Sequence, residues 1–240
     1  MLKSITKGKA GRNFASVEHW SDIFRPSEDS LTASVFERLL YLPSRIFGDI
    51  IIDAAKIESL QLDFSNGFIE YEFWPSWDAE GTSNSKRVEP DLYVRFDNFD
   101  LIVEAKRNDS VHQVVGQWKN ELSAYSQKFG LEGKGIVFLA VGGKVDFKLD
   151  QVTNDKDIGF AHCAWKSLLY TVKRYMEDLS TCSMSVGYRT PIVNILSDIV
   201  EAFGIHHITV GEWFESYPSV TNGLEICLTD ISNPFAKGSN

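Results

Sequence analysis

The sequence predicts an α/β domain, and three observations carry that prediction. Two runs rich in β-branched and aromatic residues, 92–96 and 99–103, flank Asp97-Asn98, a pair able to turn a tight hairpin. Val111, Val114, Val115, Trp118, Leu122, Tyr125 and Phe129 then recur at helical spacing and stop at Gly130. Finally, 135–141 (Gly-Ile-Val-Phe-Leu-Ala-Val) is a continuous apolar run bounded by glycines, as expected of a strand covered on both faces. Hairpin, amphipathic helix and buried strand in that order describe a sheet with helices packed on it.

The chain has 240 residues and 43% apolar content, enough for one sizeable core. A single domain over 1–240 is expected. No run of roughly 18 apolar residues occurs, and the N-terminal residues lack the apolar centre of a signal peptide, so the expectation is a cytoplasmic protein with no membrane partner. The three cysteines, Cys163, Cys182 and Cys227, form no Cys-x-x-Cys spacing and suggest neither a disulfide framework nor a zinc site. A net charge of −9 argues against a protein that coats nucleic acid by bulk electrostatics. Lys3, Lys7, Lys9 and Arg12 make the N-terminal segment basic and free of acids, a candidate arm or a solvated terminus.

From the N-terminal side, Ser30 or Thr32 can start a helix through Val35, Phe36, Leu39 and Leu40, which Pro43 stops, and a second amphipathic segment covers 44–56. Residues 68–74 alternate as a first strand ended by Pro75. A polar loop fills 76–87 and ends in Lys86-Arg87. If the hairpin loop is Asp97-Asn98, counting outward sets Arg95 opposite Asp100, Asp91 opposite Glu104 and Glu89 opposite Lys106, all on one face with Ala105 turned away. Asn108, Asp109 or Ser110 can cap the following helix, along which Gln113, Gln117 and Glu121 make a polar edge. Beyond 141, another strand is expected at 158–164 and helices at 165–179 and 191–203. No His-Glu-x-x-His, Gly-x-Ser-x-Gly, Walker loop or dinucleotide glycine fingerprint occurs, and His206-His207 reads as part of a turn.

The register brings two carboxylates and an ammonium together. Opposed carboxylates repel, so something positive is expected between them, and a divalent cation fits. Mg²⁺ takes one or two protein carboxylates and leaves its other positions to water and phosphate, so Asp91 and Glu104 suffice, with the Ala105 carbonyl as a third oxygen.

Pro90-Asp91, twelve intervening residues and Glu104-Ala105-Lys106 resemble the signature of the PD-(D/E)XK nuclease superfamily. The resemblance implies a restriction-endonuclease-like core of helix, three antiparallel strands, helix and strand, a central mixed sheet flanked by helices. It covers about 32–141, with 142–240 as a helical C-terminal extension. It also implies a Mg²⁺-dependent endonuclease, with Mn²⁺ as a substitute, that acts on DNA, and it leaves a homodimer open. Asp91 and Glu104 would hold the metal, and Lys106 would position the nucleophile or stabilise the transition state. In the superfamily a glutamate of the first helix often faces the metal, and Glu37 is the similar residue here. The competing role for Glu37 is a capping box with Ser34. Members of the RecB-like branch carry a glutamine in the later helix, followed by an aromatic. Gln117 with Tyr125 is similar to that pair, and Gln113 competes with Gln117. The 76–87 loop would then be a lid or DNA contact, or a plain connector. The alternative reading is a catalytically inactive member of the fold that acts as a binding or assembly subunit.

Overall fold

A computed structural model describes residues 24–57, 62–108, 110–132, 134–153, 155, 158–181 and 185–210. The basic N-terminal residues, Asp109, Cys182 and Cys227 lie outside them. By its contacts the chain divides into Met1–Val210, to which every element below belongs, and Gly211–Asn240, outside the described residues. Among the described residues the helices are α1 (Glu28–Leu40), α2 (Ser44–Ala55), α3 (Val115–Phe129), α4 (Trp165–Thr181) and α5 (Val186–Ile205). The strands are β1 (Glu70–Phe73), β2 (Trp77–Asp78), β3 (Arg87–Val88), β4 (Leu92–Arg95), β5 (Phe99–Ala105), β6 (Gly135–Val141) and β7 (Ile158–Cys163). No described helix is long and apolar enough to cross a membrane.

The fold is α/β, built on a five-stranded mixed sheet in the order β1-β4-β5-β6-β7. β1, β4 and β5 are antiparallel, whereas β5, β6 and β7 are parallel, so β5 is the strand where the sheet changes sense. The hairpin register is as expected from 92–95 to 100–103, with Arg95 opposite Asp100 and the Phe96 N–H donating to the Phe99 carbonyl at 3.0 Å. Neither Asp97 nor Asn98 needs a positive φ to make the turn. The expected Glu89–Lys106 pair does not form. At its end β5 outruns β4 and is held by β6, the Lys106 N–H donating to the Val141 carbonyl at 2.7 Å, while Glu89 accepts from Arg87 Nε at 2.6 Å.

Period-two alternation separates the two faces of β4 and β5. Leu92, Val94, Phe96, Phe99, Leu101, Val103 and Ala105 join the cluster that buries Phe36 of α1, Phe47 of α2, Trp165 and Leu168 of α4 and Phe203 of α5. Tyr93 and Ile102 face the other way, onto Trp118, Leu122 and Tyr125 of α3 and Trp77 of β2. Burying each large apolar side chain contributes roughly 1.5–3 kcal/mol. Asp91 and Glu104 alternate onto the same side as Tyr93 and Ile102, with Lys106 just past the end of β5, while Arg95 and Asp100 lie at the other end of the strand pair.

Several boundaries move for identifiable reasons. α1 starts at Glu28 because Ser27 caps it, its Oγ accepting the Ser30 N–H at 3.1 Å. Ser34 therefore lies inside the helix and makes no capping box with Glu37. α3 starts at Val115 and not near 108–110, since residues 111–113 satisfy their backbone groups on Lys144 (Gln113 N–H to Lys144 O at 2.9 Å, Lys144 N–H to Val111 O at 2.7 Å). Val111 and Val114 are accordingly exposed and outside the stripe. β1 stops at Phe73 because Trp74 takes φ 49°. The 76–87 stretch is not a bare loop: Trp77 pairs with Val88 and Asp78 with Arg87, and buried Trp77 packs on Tyr93, Tyr125 and Phe129. Asn120 of α3 clasps its tip, accepting from the Ser83 N–H at 3.0 Å and donating to Asn84 Oδ1 at 2.9 Å. The segment after 141 is no appendage either, because β7 extends the sheet while α4 and α5 complete the larger core. α5 begins at Val186, five residues before the expected Pro191. His206 is buried at its end, and His207 turns the chain at φ 57°. Cys163 is buried in the larger core.

Candidate active site

The end of β5 is where charge collects. Asp91, just before β4 and 8% exposed, is held by two N–H donors, Ala105 N to Oδ2 at 2.8 Å and Trp74 Nε1 to Oδ1 at 3.3 Å. Glu104, 1% exposed, accepts from Gln117 Nε2 at 2.7 Å and from the Lys106 ammonium, both at Oε1. Lys106 Nζ also donates to the Ala105 carbonyl at 3.2 Å. One cationic group thus already bridges two of the three oxygens that the sequence nominated for a metal.

Two acids complete the cluster. Glu28, in the first turn of α1, puts Oε1 3.7 Å from Lys106 Nζ and accepts the Arg107 N–H at 2.6 Å through Oε2. Glu121, one turn after Gln117 on α3, is 1% exposed and within hydrogen-bonding reach of Glu104. Sequence reasoning passed over Glu28, which precedes the helix start expected at Ser30 or Thr32, and left Glu121 on a polar edge. Only its i+4 spacing from Gln117 pointed inward.

Glu37 does not join them, contrary to its expected role. Its half-exposed carboxylate accepts the Tyr41 hydroxyl at 2.9 Å and lies 3.7 Å from Arg38. Nine residues after Glu28 is roughly 2.5 turns, which carries Glu37 to the far side of α1. Of the competing glutamines, Gln117 reaches Glu104. Gln113 is structural, donating to the Gly142 carbonyl at 3.0 Å and accepting from Trp118 Nε1 at 3.2 Å.

Burial and like charge shape the ionisation of the cluster. Burial pushes Asp91 up to about 6, against the Ala105 N–H bond and Lys106, which pull it down. Glu104 is raised by burial first and by Asp91 second, with Lys106 opposing. Glu121 is pushed well above the usual carboxylate range by burial, then by Glu104. Burial pulls Lys106 down, but Glu104, Glu28 and Asp91 outweigh it and hold the ammonium above its ordinary value. Excess buried negative charge is what a cation would relieve. The donors are hard oxygens, two carboxylates and a carbonyl, which suits Mg²⁺. Among the described residues no group of three or more His, Cys, Asp or Glu side chains is arranged to hold a metal, and Mg²⁺ needs only one or two carboxylates.

A pH dependence follows. The folded protein binds protons at Asp91 that the unfolded chain releases above 3.8, so this contribution is largest at low pH and is lost as pH rises through about 6. A rise from 3.8 to about 6 corresponds to roughly 3 kcal/mol. Without divalent cations the melting temperature is expected to fall between pH 5 and pH 7.5. Asp91→Asn should flatten that slope, and a slope identical in both proteins would refute the assignment to Asp91.

No family model matches the chain. Uncharacterized protein PM0110 of Pasteurella multocida (strain Pm70) is 32% identical over 241 residues, covering 90% of this chain and 84% of the relative. The chain belongs to the PM0110 family. At that coverage the PM0110 likeness is to most of the chain and not to one motif. Among solved structures, "Crystal Structure of Protein of Unknown Function AF1548" is 10% identical and covers 56% of this chain and 90% of its own, with a TM-score of 0.32, a likeness that carries no argument.

Proposed function

We propose that this chain is a Mg²⁺-dependent nuclease of restriction-endonuclease-like fold that hydrolyses DNA phosphodiester bonds in the cytoplasm. One observation carries the reading: Asp91, Glu104 and Lys106 converge at the end of β5, with both carboxylates buried and Gln117 bonded to Glu104. The order α1, β1-β4-β5 antiparallel, α3 and then β6 supports it, since it is the order that core requires.

Asp91, Glu104 and the Ala105 carbonyl would hold the metal. Mg²⁺ there would lower the pKa of a bound water and offset charge on the phosphate. The chain's own groups do the rest. The Ala105 and Trp74 N–H groups fix the Asp91 carboxylate, and Gln117 fixes that of Glu104, so neither must reorganise when charge develops. Lys106, kept protonated by Glu104, Glu28 and Asp91, brings a full positive charge to the phosphoryl oxygens.

Purified protein incubated with duplex DNA, single-stranded DNA and RNA in Mg²⁺ and in Mn²⁺ tests the reading, beside Asp91→Ala prepared identically. Cleavage of DNA by wild type alone is expected. Identical traces from both proteins on every substrate would sink the nuclease and favour a non-catalytic binding or assembly subunit of the same fold.

A further inference from the structure

Trp77, Trp118 and Trp165 are core residues, each 2% exposed or less, whereas Trp74 is 37% exposed beside Asp91. Its backbone is strained. A φ of 49° is an outlier for so bulky a side chain, and Pro75 behind it favours an extended residue at 74. Strain of this kind persists only where the surroundings over-determine the residue, and it clusters at functional sites. Two hydrogen bonds to one partner fix Trp74. Its backbone N–H donates to the Asp91 carbonyl at 3.2 Å, and its Nε1–H donates to Asp91 Oδ1 at 3.3 Å. Among the described residues its ring neighbour is Phe73, tilted at 44° with centroids 5.6 Å apart. The indole is thus pinned by one edge to Asp91 while over a third of its surface stays open. Orienting a carboxylate needs an N–H. It does not need an exposed indole on a left-handed backbone.

Charge and shape point to the occupant. With a net charge of −9 the chain gains little from bulk attraction to a polyanion, so binding must draw on uncharged contacts. Base–aromatic stacking is the contact that every base offers. We propose that Trp74 is a stacking platform for one unpaired nucleobase of the DNA strand being cut, on a nucleotide adjoining the phosphate that meets Asp91. A base inside a duplex is covered by its neighbours, so the base on Trp74 is single-stranded or has left its stack. The bond from Nε1 to Asp91 then ties the placement of that base to the carboxylate beside the phosphate. This inference rests on the nuclease reading, and its test separates the two.

Binding of fluorescein-labelled oligothymidylate, and of an equally long strand with every base replaced by an abasic spacer, is followed by anisotropy with Ca²⁺ in place of Mg²⁺. Wild type, Trp74→Gly and Trp74→Phe are compared, and cleavage by wild type is assayed in Mg²⁺ alongside. Glycine adopts φ 49° without strain, so Trp74→Gly removes the ring with no backbone penalty, whereas phenylalanine keeps a ring face and loses only the N–H. Trp74→Gly is expected to bind oligothymidylate about 5- to 100-fold more weakly than wild type, and Trp74→Phe to stay within a few-fold. On the abasic strand all three should bind alike, a pattern that a merely structural role for Trp74 would not produce. Trp74→Gly binding oligothymidylate as tightly as wild type, or losing the same factor on both strands, overturns the stacking and leaves the nuclease. Ring-dependent binding with no cleavage by wild type overturns the nuclease and leaves a single-strand-binding subunit that stacks on Trp74. No binding of either strand by wild type overturns the stacking, whatever the cleavage assay shows.

Discussion

Lys106→Ala is expected to lower DNA cleavage by about 10²- to 10³-fold while leaving Mn²⁺ affinity intact or raised. The two halves of that expectation have one structural source. Lys106 Nζ is bonded to Glu104 and to the Ala105 carbonyl, and it lies 3.7 Å from Glu28. Truncation frees two oxygens for a cation and removes a competing positive charge. It also removes the group that would meet charge accumulating on the phosphate. Lys106→Arg should not restore turnover, because a planar guanidinium cannot reproduce the point contact of an ammonium on one oxygen pair. Single-turnover cleavage with saturating Mn²⁺ separates the effects. Wild-type rates in Lys106→Ala would remove the residue from the chemistry, and with it the strongest link between this cluster and phosphodiester hydrolysis.

Asp100→Ala is expected to cost about 3–5 kcal/mol of stability, the largest folding effect of any single charge removal in the sheet. Asp100 lies at the opposite end of β5 and is fully buried. Its Oδ2 accepts the Tyr93 hydroxyl at 2.7 Å and the Tyr125 hydroxyl at 2.8 Å, while Oδ1 lies 3.5 Å from Arg95 Nε and 3.9 Å from Lys134 Nζ. Burial, then the bond to Asp100, holds both tyrosines above their usual pKa. Alanine would leave two buried hydroxyls without an acceptor and Arg95 with only Glu132 and the Phe129 ring, whose centroid is 4.9 Å away. For a chain of this length the loss lowers the melting temperature by roughly 6–20 °C. Asp100→Asn keeps the shape and one acceptor, so it should fall between the two. A urea titration showing less than about 1 kcal/mol for Asp100→Ala would mean that the network is balanced by its own desolvation.

The two ends of β5 were not equally legible. Arg95–Asp100 and Asp91–Glu104 both follow from one count outward from a two-residue turn, yet only the Asp91–Glu104 pairing pointed to a function, because like charges opposed across a hairpin demand an explanation and opposite charges do not. Tyr125 shows the limit of such reading. It was read as part of the apolar stripe and as the aromatic that follows Gln117, with nothing in the sequence to show that its hydroxyl serves Asp100. Gln117 itself was readable as a candidate, but its choice over Gln113 needed the position of Gly142, whose carbonyl takes the Gln113 amide.

By itself the sequence determined what depends on local periodicity. The alternation of β4 and β5, the two-residue turn and the apolar run of β6 placed Asp91, Glu104 and Lys106 on one face, since period-two geometry allows no other arrangement once the turn is set. The tertiary structure alone decided what depends on partners far along the chain. Glu28 and not Glu37 reaches the cluster because its carboxylate meets an N–H from Arg107, 79 residues away, and that choice reflects how α1 is rolled on the sheet. The late start of α3 depends on Lys144, the β2–β3 pair on a pocket for Trp77, and the burial of Glu121 on α3 lying across β5. Local propensity is blind to each of these, because the free energy that settles them comes from surfaces that exist only after the sheet has formed.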